Sequence, residues 1–136
     1  MNRTEAVHLC RFVKSLAPAT TMDEFTPDAW AMVLDDVRYE DAQTAVRTIY
    51  REHTDDSYGG RKIEADDILH EVKRIRNKRI ADHGEVIPPY FDTVAEDIAW
   101  RRDALRRIGN GETIGNTRGQ LIARPTIGTL TKGMDA

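Results

Sequence analysis

The sequence predicts an all-α protein with a small N-terminal bundle of about four helices, a fifth helix and a flexible C-terminal tail. Along successive segments, apolar residues recur at spacings of three and four, which is the pattern of a helix with one buried side. Aromatic residues make up only 7% of the chain, which disfavours a β-sandwich packed by aromatic and β-branched side chains. A length of 136 residues suits one core with appendages, because domains commonly contain roughly 100–150 residues.

The first two predicted helices are separated by a short loop that begins at Pro18. Helix one starts near Thr4, and its apolar side contains Leu9, Phe12, Val13 and Leu16. Before helix two, Thr26 is predicted to cap the helix and Pro27 to occupy its first position. The apolar side of helix two contains Trp30, Val33, Leu34 and Val37.

Two further helices follow, separated by an exposed connection at residues 53–60, where turn-forming residues and two glycines are concentrated. Helix three begins at Tyr39, and its apolar side contains Ala42, Ala45, Val46, Ile49 and Tyr50. Helix four has Asp66 and Asp67 in its first turn and a basic end, a distribution that complements the helix dipole. Its apolar side contains Ile68, Leu69, Val72 and Ile75.

The sequence pattern divides the chain into four parts. Residues 1–83 are predicted to form the helical bundle domain, and residues 84–91 a linker, because Gly84, Pro88 and Pro89 interrupt helix formation. Residues 92–108 form an amphipathic helix that carries Val94, Ile98, Trp100 and Leu105. Residues 109–136 contain six Gly, one Pro and five Thr, a composition that favours a flexible tail.

Charge and cysteine content limit the class of protein. Residues 1–60 have 6 Lys and Arg against 11 Asp and Glu, and residues 61–136 have 14 against 12. The acidic first part disfavours DNA binding there.

The one cysteine, Cys10, cannot form an intramolecular disulfide, is predicted to be buried, and fits a reducing compartment. Since no segment approaches the ~18 consecutive apolar residues of a membrane span, we expect a cytoplasmic protein without a membrane partner.

The sequence contains no recognisable catalytic or cofactor motif. The glycine-rich segments 109–111 and 128–133 lack the pattern of a phosphate-binding loop. The four histidines are far apart, and no pair has the spacing of metal ligands. Adjacent carboxylates such as Asp35 and Asp36 point about 100° apart on a helix and do not easily share a proton or a metal. We therefore expect no enzyme activity, cofactor, metal site or small-molecule substrate.

Several motifs, in their order along residues 4–80, resemble the phage replicative-helicase loader and inhibitor family. These motifs are LAP at 16–18, TPDAW at 26–30, LDDV at 34–37, YEDA at 39–42 and IEADDI at 63–68. Members of the family are small helical proteins that bind the hexameric DnaB-type helicase. The resemblance implies an accessory protein of phage or prophage DNA replication, acting in the host bacterial cytoplasm, that inhibits the helicase in solution and helps to load it at the origin.

The resemblance also implies which part of the chain contacts the partner. The partner is a replicative DnaB-type helicase of host or phage, with an origin-binding protein or DNA as a possible further partner. The helicase contact is expected on the fifth helix and the tail, at Trp100, Leu105, Ile108, Leu121, Ile122, Ile127 and Leu130. Apolar residues spaced among small and polar ones suit a segment that orders on a partner. An inert tail is the alternative.

Two basic segments support a rival hypothesis, a helical DNA-binding adaptor or transcriptional regulator. The residues that could follow a phosphate backbone are Lys73, Arg74, Arg76, Lys78, Arg79, Arg101, Arg102, Arg106 and Arg107. The same cations could instead complement the carboxyl ends of helices and pair with nearby acids such as Glu71, Asp82 and Asp103. The sequence leaves both interpretations open.

Overall fold

The computed structural model describes residues 1–52 and 61–115, and the prediction of an all-α protein is confirmed for this part of the chain. Its elements are α1 Arg3–Leu16, α2 Thr26–Val33, α3 Tyr39–Glu52, α4 Ala65–His83 and α5 Val94–Gly109. Over the same residues, no helix has both the length and the apolar character that crossing a bilayer requires. The predicted connection at 53–60 and the predicted tail beyond residue 115 lie outside the described residues.

The chain divides into two compact units, Met1–Ile75 and Arg76–Ala136. This division falls within α4, whereas the sequence pattern places the end of the bundle after residue 83. The difference follows from the contacts of α4, because Ile68 and Val72 belong to the core of the first unit while Ile80 packs on the core of the second.

The first unit begins with a capped helix. The side chain of Asn2 accepts a 2.8 Å hydrogen bond from the backbone N–H of Glu5, and the Glu5 carboxylate accepts a 2.9 Å bond from the N–H of Asn2. This reciprocal pair satisfies two N–H groups that the first turn of a helix leaves without partners. It explains why α1 begins at Arg3, from which α1 packs against α2 and α3.

The start of α2 differs from the sequence prediction. Phe25 is the N-cap residue and makes no side-chain cap bond, and Pro27 lies in the first turn. The prediction that Thr26 caps α2 is wrong, because its hydroxyl accepts a 2.9 Å hydrogen bond from the N–H of Asp23, which precedes the helix. A capping side chain would instead accept from an N–H two or three residues ahead of it.

The core of the first unit is formed by side chains of α1 to α4 and of the segment before α4. Its largest fully buried side chains are Leu9, Val13, Leu34, Val46, Ile63, Ile68 and Val72, and Trp30 is also buried. Full burial of one such side chain contributes roughly 1.5–3 kcal/mol. The prediction that Tyr50 is buried on α3 is wrong, because its ring is partly exposed and holds the Arg61 guanidinium 4.4 Å from its centroid.

One buried hydrogen bond joins two irregular segments of this unit. The N–H of Ile63, just before α4, donates a 3.0 Å bond to the hydroxyl of Thr20, in the loop after α1. Both residues are fully buried. Since a buried N–H without a partner is costly, this bond fixes the approach of the chain to α4.

The second unit has a smaller core, formed by Val86, Ala104, Ile108 and Ile114. The helix α5 is capped by Thr93, whose hydroxyl accepts a 3.2 Å bond from the N–H of Glu96. After α5, Gly111 has φ +95°, a left-handed conformation that glycine adopts without strain. This turn lets the following residues return to the core.

The first residues of the segment predicted as a tail belong to the second unit. Residues 109–115 are described, and the side chain of Ile114 is only 8% exposed, in contact with the second core. The burial of Ile114 could not be predicted from the composition of this segment, because a single isoleucine among glycines and polar residues gives no periodic signal.

Candidate protein-binding surfaces

The helix α5 has one wide apolar side, of which one edge faces solvent. Ala104 and Ile108 are buried in the second core. Val94 is 73% exposed, Ile98 50% and Leu105 44%, and these three residues lie within about 40° of one another around the helix axis. We call Val94, Ile98 and Leu105 the α5 outer stripe. An apolar stripe that residues 76–115 leave exposed is available for contact with a partner.

A groove of about 410 Å³ adjoins this stripe within the second unit. It is lined by Ile80, Ala81, Gly84, Glu85, Val86, Arg101 and Leu105. Its apolar lining comes mainly from Ile80, Val86 and Leu105, and Arg101 is held at its edge by a 3.0 Å ion pair with Asp97. A concave apolar site with a few charged groups can accept an apolar side chain of a partner and orient it.

The residues predicted to contact a helicase differ in how far their side chains are exposed. Leu105 lies on the surface, and Trp100 is partly buried against the second core. Ile108 is only 2% exposed, so the prediction that it forms part of a contact surface is wrong. Val94 and Ile98, which the sequence places on the same amphipathic helix, are exposed. Four predicted tail contacts, Leu121, Ile122, Ile127 and Leu130, lie outside the described residues.

The predicted pairing of basic residues with three named acids is confirmed. Arg74 binds Glu71 at 2.8 Å, Lys78 binds Asp82 at 2.7 Å, and Arg106 binds Asp103 at 2.6 Å. The hydrogen bond and the attraction of the carboxylate raise the pKa of Arg74 and likewise that of Arg106. These contacts are those expected of solvated helices with i, i+3 and i, i+4 ion pairs.

Most of the other predicted phosphate-binding cations are also engaged. Arg107 pairs with Glu112 at 2.9 Å, Arg79 donates a 2.9 Å hydrogen bond to the carbonyl of Gly109, and Arg76 donates to the side-chain oxygen of Asn110. Lys73 and Arg102 are exposed. Arg101 pairs with Asp97. Within the described ranges, seven of the nine predicted cations therefore have an ion-pair or hydrogen-bond partner.

A second exposed apolar surface lies on α2 in the first unit. Phe25 is 67% exposed, Met32 78% and Val33 43%, and Ala29 between them is exposed as well. We call Phe25, Ala29, Met32 and Val33 the α2 outer face. The prediction that Val33 packs inward with Trp30 is wrong, because α2 buries the opposite side. The sequence signal for this face was the recurrence of apolar residues at 25, 29, 32 and 33.

Acidic residues after α2 line a concavity in the first unit. Asp35 and Asp36, in the turn after α2, line a concavity of about 320 Å³ together with Glu5 and Glu40; its other lining residues are Met1, Val37, Arg38 and Tyr39. Among residues 1–52 and 61–115, no three side chains of His, Cys, Asp or Glu are grouped so that they could hold a metal ion.

The chain was compared with models of protein families, with curated proteins and with solved structures. None of the three comparisons found a match.

Proposed function

We propose that this chain is an accessory protein of phage or prophage DNA replication that binds a DnaB-type hexameric helicase, restrains it in solution and helps to load it at an origin. The partner class comes from the motif resemblance at residues 16–18, 26–30, 34–37, 39–42 and 63–68. The observation that supports a binding function most directly is the α5 outer stripe, which presents apolar side chains that are exposed among the described residues of the second unit.

The contact would use a common mode of recognition, in which a helix lays an apolar side into a hydrophobic groove of its partner. Val94, Ile98 and Leu105 extend along three turns of α5, and Leu105 also lines the adjacent groove. A partner side chain entering that groove would therefore contact the same surface. Apolar residues 121, 122, 127 and 130 would add contact area beyond α5.

The experiment compares two double variants of the full-length chain. Ile98→Asp with Leu105→Asp places two charges in the outer stripe. Ala95→Asp with Ala99→Asp places two charges at exposed positions on the other exposed side of the same helix, and serves as the control. Sedimentation velocity with a purified hexameric replicative helicase measures binding, and strand separation measures inhibition.

We expect the stripe variant to lose helicase binding by at least about tenfold, because a charge buried in an apolar contact is strongly unfavourable. The control should bind like the unchanged chain. A third variant, with Ser at 121, 122, 127 and 130, tests the tail separately. Equal binding by the stripe and control variants would exclude the α5 contact, and failure of the unchanged chain to bind would exclude the helicase as partner.

The same proteins separate this proposal from the DNA-binding alternative. Fluorescence anisotropy with duplex DNA is recorded at low and high salt for the unchanged chain and for Arg74→Ala, Arg76→Ala, Arg79→Ala. A phosphate-binding protein loses affinity steeply as salt rises and on removal of these cations. That result, without helicase binding, would replace the helicase proposal with the DNA-binding adaptor.

A further inference from the structure

We propose that the α2 outer face is a second protein-binding site, which takes a helical segment of another protein that presents apolar side chains together with Lys or Arg residues. This site lies in the first unit and is independent of the proposed helicase contact, which lies on α5 in the second unit.

Several apolar side chains of the α2 outer face are exposed and lie outside the core of the first unit. The buried side of α2 and its C-cap is formed by Trp30 and Leu34, which are 6% and 0% exposed. Phe25 and Met32 therefore contribute little to folding. Aromatic residues and methionine are enriched at the centres of protein interfaces, and the flexible methionine side chain adapts its shape to a partner.

The charge around this face determines which partner fits. The segment from Asp23 to Val37 contains five carboxylates and no Lys, Arg or His. All five, Asp23, Glu24, Asp28, Asp35 and Asp36, belong to exposed residues. Asp28 is three residues from Phe25 and four from Met32, so it borders the apolar face directly on the helix surface.

These carboxylates differ in how far they are already neutralised. Asp28 pairs with Arg3, and the Asp23 carboxylate accepts hydrogen bonds from the N–H of Phe25 and the hydroxyl of Thr26. Asp35 and Asp36 line the concavity after α2 together with Glu5 and Glu40, and Met1 and Arg38 also belong to its lining. Arg38 pairs with Glu40 at 3.4 Å. Asp35 and Asp36 follow Met32 by three and four residues. A cationic side chain next to the apolar contact would therefore be close to opposite charge, which would orient the partner and speed its association.

The same charges disfavour two other occupants. Phosphate groups of a nucleic acid would be repelled by the carboxylates. A second copy of this chain, bound through the same face about a two-fold axis, would bring the acidic segment of one copy against that of the other. A basic, apolar segment of a different protein is the occupant that the apolar and acidic residues both favour.

The test uses amphipathic peptides of about 16 residues, long enough to form several helical turns. The first peptide carries Leu on one side and Lys on the other, the second replaces each Lys by Glu, and the third scrambles the first so that no apolar side remains. The full-length chain is labelled with ¹³C at the methionine methyl groups, and binding is followed by NMR at Met32, with Met22 as an internal reference. Peptide anisotropy gives the affinities.

Two variants of the full-length chain give the matched comparison. Met32→Lys changes the α2 outer face, while Thr44→Lys adds the same charge at an exposed position of α3. We expect the first peptide to shift the Met32 signal, and Met32→Lys to weaken its binding by about tenfold or more while Thr44→Lys retains it. The second and third peptides should bind at least about tenfold more weakly than the first.

Several outcomes would overturn the proposal. Equal binding of the scrambled Lys peptide would show that charge alone attracts the probe. Equal binding of the Glu peptide, equal effects of the two variants, or an unchanged Met32 signal would exclude the α2 outer face as the site. Concentration-dependent self-association that Met32→Lys abolishes would assign this face to a second copy of the chain. None of these results depends on whether the chain binds a helicase.

Discussion

The backbone N–H of Ile114 donates a 2.9 Å hydrogen bond to Nε2 of His83. Nε2 therefore carries no proton in this arrangement, and the ring proton lies on Nδ1, which is 3.5 Å from the carbonyl oxygen of Gly84. Together with the packing of Ile114 against the second core, this bond holds residues after α5 against the end of α4.

Replacement of His83 by Ala should release Ile114. Loss of the acceptor leaves a partly buried N–H without a partner, at a cost of about 1–3 kcal/mol to the second unit. Amide hydrogen exchange should show faster exchange at Ile114, while His70→Ala, at an exposed position of α4, should leave it unchanged. Unaltered protection of the Ile114 amide in His83→Ala would mean that apolar packing alone holds the segment.

Thr20→Val should destabilise the first unit despite conserving the shape of the side chain. The change removes the hydroxyl that accepts from the buried N–H of Ile63, and an unpaired buried N–H costs about 1–3 kcal/mol. Urea denaturation of Thr20→Ser, which retains the hydroxyl, provides the comparison. If Val proves as stable as Thr at this position, the bond contributes nothing measurable to the folded state.

Arg74→Ala should lower the free energy of unfolding more than Lys78→Ala does. The Glu71 side chain is 10% exposed and is held by Arg74, whereas Lys78 and Asp82 are both well exposed. Removing Arg74 leaves a largely buried carboxylate without its cation, while exposed ion pairs contribute only about 0–1 kcal/mol. Denaturant titrations of the two variants measure the difference, and equal losses would contradict this explanation.

The stability of the first unit should fall as pH rises from 9 to 11. Burial raises the pKa of the Cys10 thiol from 9.0 to about 11, so the unfolded chain releases this proton at a lower pH than the folded chain. Above pH 9 the unfolded state therefore gains stability relative to the folded state, by about 2 kcal/mol at pH 11. The loss should be absent below pH 9.

Denaturant titrations across this pH range check the thiol prediction, with Cys10→Ala as the control. The variant should show a smaller decrease in the free energy of unfolding between pH 9 and 11. In the unchanged chain, a thiol reagent should react at the rate of unfolding rather than on mixing. Parallel pH profiles for the two proteins would indicate that other groups produce the whole effect.

The helices were predictable because their signals are local. Tyr39 begins α3, Asp66 and Asp67 lie in the first turn of α4, and the apolar spacing identifies Leu9, Val46 and Ile68 as buried. The contact of Tyr50 with Arg61 was not predictable, because Arg61 lies beyond the end of α3. The buried bond from Ile63 to Thr20 likewise joins residues whose contact no local pattern encodes.

The candidate surfaces were predicted less completely than the fold. Periodicity identified apolar residues on α5 but did not show which of them are buried, so Ile108 was assigned to the contact surface although it lies in the second core. For α2, the pattern identified Trp30 as buried but gave no account of Phe25 and Met32. In short helices, which apolar side is buried depends on neighbouring elements and therefore on tertiary structure.

The two tryptophans of the chain are divided between the two compact units. Trp30 lies in the core of the first unit, and Trp100 packs on the core of the second. Replacing either one by Phe would leave a single indole emitter whose fluorescence reports on one unit alone. The chain therefore carries a built-in pair of optical probes, with which the unfolding of each unit can be followed separately and its cooperativity with the other measured.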